Sequence, residues 1–147
     1  MNPGKTVLGT LGYVVVTFPL AYVWHLVAFK STYEELGYIS RKEPIVAFGF
    51  VAIVTQGVLL SAIYQKLCAG KSLLQGALTL AAVMGIYHWT THVLAEAAKH
   101  PIEPLSAWFA LESTYLAIQF LLGGFVIALA NRDTETAKVV AEARDER

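Results

Sequence analysis

"LLQGALTLAAVMGIYHWTTHVLAEAA", residues 73–98, decides the fold, because it runs through 26 residues with one formally charged side chain, Glu96, and without strand-like alternation. A helix rises about 1.5 Å per residue, so roughly 20 residues cross a hydrocarbon core. The stretch is long enough to span a bilayer. In lipid every backbone N–H and C=O must be paired internally, which here favours helices over a barrel.

Three more windows share this character, and spans are predicted at about Thr6–Phe29, Ile45–Gln65, Leu73–Ala98 and Leu105–Asn131. Composition agrees: 56% of residues are hydrophobic, 15% are charged and the mean hydropathy is +0.54, well to the apolar side of a soluble domain. The expected fold class is all-α: a four-transmembrane-helix, up-down-up-down bundle making one membrane domain over residues 1–147. The connections "KLCAGKS" and "KHPIEP" are short, so consecutive spans should be antiparallel neighbours. The mixed-charge tail, 132–147, reads as a solvated cytoplasmic continuation of the last helix. The first span is too long for a signal peptide and lacks a small-x-small cleavage site after its apolar run. Cys68 has no partner for an internal disulfide and reads as a small apolar packer.

The longest loop, "KSTYEELGYISRKEP" at 30–44, pairs Ser31 with Glu34 as a capping box and ends at Gly37. It predicts a short interfacial helix in the first outer loop, with Tyr33 and Tyr38 in the headgroup belt; a solvated connector is the alternative. Pro44 and Pro104 each follow a glutamate and open the next span, a parallel that hints at a 2+2 repeat, and Pro19 should bend the first helix.

With both termini on one side, that side carries Lys5, Lys66, Lys71, Arg132, Lys138, Arg144 and Arg147, against Lys30, Arg41, Lys42 and Lys99 on the other. Seven against four places both termini in the cytoplasm of a bacterial inner membrane. Zero net charge gives no indication of a nucleic-acid partner, and no run of basic residues is dense enough to read as an anionic-lipid site.

The third span carries a polar stripe. At about 100° per residue, Ala77, Ala81, Gly85, His88, His92 and Glu96 share one face, and small or ionisable residues both point that face inward. Trp108, Glu112, Tyr115, Gln119 and Gly123 align on the fourth span, and Gly49, Ala52 and Gln56 on the second. The first offers His25 with Tyr22 and Phe18, an aromatic face, and reads as the weakest member. Counting helical rise inward places His25, His92 and Glu112 roughly 6–10 Å below the outer boundary, and His88, Gln56 and Tyr115 about 15 Å down.

Three chemistries fit. His88, His92, Glu112 and His25 offer the N and O donors of a transition-metal site, with Glu96, Tyr115, Gln119, Gln56 and Trp108 around them. Haem would need His88 or His92 opposite His25 or another subunit, since histidines one turn apart cannot be trans ligands. Proton-coupled transport of a small solute, or binding of a membrane ligand by a dimer, is the third. Against all three stands a polar network that only locks helix register. His100, in the outer loop, reads as solvated. Trp24, Trp89 and Trp108 read as interfacial belt residues, Trp108 being the best candidate for more.

"AYVWHLVAFKSTYEELGY" and "WFALESTYLAIQFLLGGFVIAL" resemble a family of small uncharacterised bacterial four-helix membrane proteins, a domain of unknown function, with Trp24-His25 and Leu36-Gly37 occupying the characteristic places. The resemblance implies the architecture and no activity. The chain has no phosphate-cradling glycine loop, no paired aspartate motif and no nucleophile with its base. The expected role is therefore non-enzymatic: an accessory or assembly component, a homo-oligomer or subunit of a membrane complex associating through small-residue faces.

Overall fold

The computed structural model describes residues 1–39, 41 and 43–132. Helix α1 covers Pro3–Val23 and widens into a π turn at Trp24–Ala28; α2 is Lys30–Glu35 and α3 is Val46–Leu67. Helix α4, Leu73–Trp89, passes through a second π turn, Thr90–Leu94, into α5, Ala95–Lys99; α6 is Leu105–Ala130. Among the described residues there is no strand. The expected helical tail beyond Arg132 lies outside them.

Among the described residues three helices are long and apolar enough to cross a membrane: Pro3–Ala28, Val46–Leu67 and Leu105–Ala130. The window that announced the fold, 73–98, is helical as expected but divided, since α4 is 17 residues long before the π turn begins.

Local chemistry sets the ends. The Asn2 side chain accepts the Lys5 N–H at 3.2 Å, and Pro3 takes the first helical position, where a missing N–H costs nothing. Ser72 and Gln75 form a reciprocal capping box at the start of α4. The box expected at Ser31 does not form: the N-cap is Phe29, two residues earlier, without a side-chain hydrogen bond. Gly37 does end it in the left-handed region, at φ +75°. Pro104 precedes α6 as its N-cap, after a cis Glu103–Pro104 bond.

The packing order is α3, α1, α6, α4. Helix α1 packs on both α3 and α6, α6 on both α1 and α4, whereas α3 and α4, although consecutive, barely touch. The first helix is thus central, not the weakest member. Its buried face is Gly9, Thr10, Tyr13 and Thr17, small and hydroxyl-bearing residues that let backbones approach. Thr10 lies against Gly57 of α3, and Tyr13 against Gly123 of α6. The α4 row behaves similarly, with Ala77 and Ala81 buried on Gly124 of α6, and Gly85 against Phe120. On α3, by contrast, Gly49 and Ala52 of the expected inward face are exposed, and only Gly57 packs inside the bundle.

The Asn2 N–H donates to Gln65 Oε1 at 2.6 Å and Lys5 Nζ to the Asn131 carbonyl at 3.1 Å. The start of α1 therefore meets the ends of α3 and α6 at one end of the bundle, and both π turns and α2 lie at the other. Large apolar side chains such as Val15, Phe48 and Ile86 face outward while Thr17, Ser61, Glu112 and Gln119 are buried, the reverse of a water-soluble protein.

Candidate functional site: a buried carboxylate between two histidines

Glu112, in the second turn of α6, is fully buried. Three other elements converge on it. His92 Nε2, from the π turn after α4, lies 2.8 Å from Oε2. The Tyr33 hydroxyl of α2 donates to Oε1, and His25 Nε2, from the π turn after α1, stands 3.6 Å from the same oxygen. Tyr33 in turn accepts the Trp24 indole N–H at 3.1 Å.

The two π turns explain why these histidines reach the carboxylate. Each adds a residue to one helical turn, and such widenings recur where a side chain must be re-aimed. The second begins at Thr90, between His88 and His92, whose rings remain neighbours. His92 goes to Glu112, whereas the His88 ring sits 5.6 Å from His92 and 5.6 Å from Phe120. Trp108, fully buried rather than interfacial, donates its indole N–H to the Val93 carbonyl inside that turn at 3.0 Å and steadies it. The Trp89 indole donates to Ser113 Oγ at 2.9 Å, and all three tryptophans thus tie elements together around the cluster.

The expected metal quartet takes another form. Among the described residues no group of three or more His, Cys, Asp or Glu side chains is arranged to hold a metal ion. His25 Nε2 and His92 Nε2, the nitrogens that would ligate a metal or haem, both face Glu112 instead, and Glu112 already receives a donor on each oxygen.

The tautomer of His25 is set by its backbone. Its Nδ1 lies 3.0 Å from the Ala21 carbonyl, which can only accept, so Nδ1 carries the proton. In a neutral ring Nε2 is then a bare lone pair aimed at a carboxylate oxygen. Two acceptors face each other across 3.6 Å, and one further proton, on either group, would turn the clash into a hydrogen bond or ion pair. Among the described residues Glu112 has no Lys or Arg partner; its ion-pair partners are these two histidines.

Tyr33 and Tyr38, expected in the headgroup belt, belong to the site. Tyr33 is fully buried and stacks on His25 at 5.0 Å. Burial and the charge of Glu112 hold its phenol well above the usual value, so it remains a donor. Burial, with Glu96 and Glu112 nearby, pushes Tyr38 up to about 12. Its ring bridges outward, 4.5 Å from Trp108 and 6.0 Å from His100. His100 Nε2 is exposed but paired with Glu96 Oε2 at 3.0 Å, and Lys99 lies 2.5 Å from the other oxygen.

The remaining expected residues form a separate layer. Gln119 Nε2 donates to the Tyr13 hydroxyl at 2.7 Å, and that hydroxyl donates to Gln56 Oε1 at 3.0 Å. Tyr115 bridges toward the cluster, edge-on to His25 at 4.4 Å. Tyr13 was not expected; its signal was the spacing Thr6, Thr10, Tyr13, Thr17, one polar residue per turn on α1. Cys68 is buried, its thiol pushed up by burial and directed at the Gly76 carbonyl, which fits a packing role.

No family model, curated protein or solved structure matches this chain.

Proposed function

We propose that the chain is a non-enzymatic integral membrane protein of four spans whose working part is a proton-binding site, Glu112 with His25, His92 and Tyr33, near the outer face. The divided helix, α4 with its π turn and α5, supplies the fourth span, with both termini on the cytoplasmic side of a bacterial inner membrane as the Lys and Arg distribution favours. The carrying observation is the forced tautomer of His25, which leaves a place for one proton between Nε2 and Glu112 Oε1. Because these groups come from α1, α2, α4 and α6, gaining or losing that proton changes the attraction between four elements at once.

The test is infrared spectroscopy of the full-length protein in nanodiscs, titrated through the range where carboxyl and imidazole groups exchange protons, about pH 4 to 8. Expected is one protonation step of the cluster that disappears in Glu112→Gln. A cluster spectrum unchanged across the range would sink the reading.

An accessory role in a membrane complex has separate support. A laterally open apolar groove of about 470 Å³ runs between α4 and α6, left by Ala81, Gly85 and Ala117 with Phe120 as its floor. A partner that co-purifies in mild detergent and is lost on Ala117→Phe is the expected result; its loss without that substitution counts against the role.

A further inference from the structure

The two ends of the bundle surround Glu112 unequally. Along α6 it stands about 10 Å of helical rise from Leu105 and about 27 Å from Ala130. The long side is closed. Directly beneath the carboxylate lie Tyr13 and Thr17 of α1 with Gln119 and Phe120 of α6, none more than 5% exposed. The hydrogens of this layer are committed, Gln119 Nε2 to the Tyr13 hydroxyl and that hydroxyl to Gln56 Oε1. Carboxamides neither gain nor lose a proton near neutral pH, so Gln119 and Gln56 on either side of Tyr13 interrupt any relay of protons. Leu60, Leu80 and Ile127, all buried, follow toward the end where both termini of α1 and α6 meet α3.

The short side carries titratable groups in succession. The His25 and His92 side chains keep 22% and 25% of their surface exposed, although the carboxylate between them has none. His92 Nε2 faces Glu112, and Nδ1 of the same ring makes no hydrogen bond among the described residues. Farther out, on α5, the partly exposed Glu96 is paired with the exposed His100 at 3.0 Å. Tyr38 spans the interval, its ring 6.1 Å from His92 and 6.0 Å from His100, and the charges of both Glu96 and Glu112 act on its phenol. The titratable groups that face Glu112 are His25 from α1, Tyr33 and Tyr38 from α2 and its loop, His88 and His92 from α4 and its π turn, and Tyr115 from α6. Among the histidines His92 is the one whose charge also acts on Glu96 from inside the bundle.

An imidazole takes up a proton at one nitrogen and releases another from the second. A proton accepted at His92 Nδ1 makes the ring an imidazolium, and release of the Nε2 proton to Glu112 Oε2 returns it to neutral as the other tautomer; the reverse order discharges the site. We propose that the Glu112 site exchanges its proton with the outer solution alone, with Glu96 and His100 as the collecting pair and His92 as the relay, so that the chain senses the acidity of the outer compartment and carries no proton across the membrane. The inference rests on the proton-site reading and names the side from which that site is reached. The responding element is α2, which Tyr33 ties to the carboxylate.

The experiment follows the infrared absorbance of the full-length protein in nanodiscs after flash release of a caged proton. The parent protein should take up one proton at the cluster. Glu96→Gln with His100→Gln should slow that uptake by about tenfold with its amplitude unchanged, less than the roughly 100-fold of a positioned acid or base because His92 keeps some exposure of its own. Glu96→Asp, which retains the carboxylate, should keep the rate, and so should Tyr13→Phe in the closed layer. Circular dichroism confirms that each variant folds. In sealed liposomes under a potassium diffusion potential, the protein should pass no more protons than protein-free vesicles do. An unchanged rate in the Glu96/His100 pair, slowed uptake in Tyr13→Phe, or a proton flux that Glu112→Gln abolishes overturns the one-sided exchange and leaves the proton site standing. No uptake in the parent protein overturns both.

Discussion

His92 Nε2 lies 2.8 Å from Glu112 Oε2, joining the π turn after α4 to the second turn of α6 across a fully buried carboxylate. This contact and the Tyr33 hydroxyl occupy both oxygens, so removing either donor strands an acceptor away from water. His92→Ala should lower stability by about 1.5–3 kcal/mol, the range for a hydrogen bond to a charged partner. His25→Ala should cost less, because its 3.6 Å approach to Glu112 lies beyond hydrogen-bond distance. Thermal unfolding in one detergent compares them; a larger loss for His25→Ala would show that the unprotonated gap is not the resting arrangement.

Tyr33→Phe removes one hydroxyl and breaks two contacts, leaving the Trp24 indole without its acceptor and Glu112 Oε1 without its donor. The expected cost is about 1–3 kcal/mol. Because Tyr33 is the buried residue of α2, amide exchange across residues 30–39 should rise more than in the rest of the chain. Uniform exchange changes would place the effect elsewhere.

Alkaline titration probes the same loop. Tyr38 is pushed up from its ordinary value of 10.0 to about 12 by burial, with Glu96 and Glu112 adding to the shift. The folded state therefore holds this proton more tightly than the unfolded chain does. The associated stability is complete below about pH 10 and is lost as pH rises toward about 12. Phenolate absorbance should show a late step that Tyr38→Phe deletes, together with loss of structure over the same window in the parent protein.

The sequence carried much of this arrangement, for reasons that the misses make plain. Helical rise is constant, so counting inward from each span placed His25, His92 and Glu112 at one depth, and the structure brings them together. What a residue count cannot show is a π turn, which shifts the register by one residue without a compositional mark; one begins between His88 and His92. Nor can it show a loop folding back, which carried Tyr33 and Tyr38 inward from where an amphipathic reading left them at the interface. The polar face of α1 was readable in principle, but threonine is too weakly polar to stand out against apolar neighbours.

The glycines separate tight packing from permissive surface. A Cβ on Gly124 would fall 2.8 Å from the Ala77 carbonyl oxygen, a backbone atom with no rotamer to yield, so Gly124→Ala should force α4 and α6 apart at about 1–3 kcal/mol. Gly85→Ala would meet Phe120 at 3.5 Å, an ordinary contact, and should be tolerated. Gly49 has nothing within 4 Å of the added carbon, and Gly49→Ala should be neutral or stabilising by up to about 1 kcal/mol through helix propensity. The ranking, read from unfolding midpoints of the three variants, would fail if Gly49→Ala proved the most damaging.

Ser61 makes the opposite case, a polar atom whose removal should help. Its hydroxyl is fully buried, lacks a hydrogen-bond partner among the described residues and is pressed against Gly9 at the α1–α3 contact. The folded state bears the desolvation of that oxygen with no bond to offset it, a cost of about 1–3 kcal/mol. Ser61→Ala removes the oxygen and keeps the helix, so the unfolding midpoint should rise. Ser61→Val, which adds bulk where Gly9 leaves little room, should lower it. If Ser61→Ala instead destabilises the protein, the hydroxyl has a partner in the membrane, and the α1–α3 contact is held by a polar interaction rather than by close packing alone.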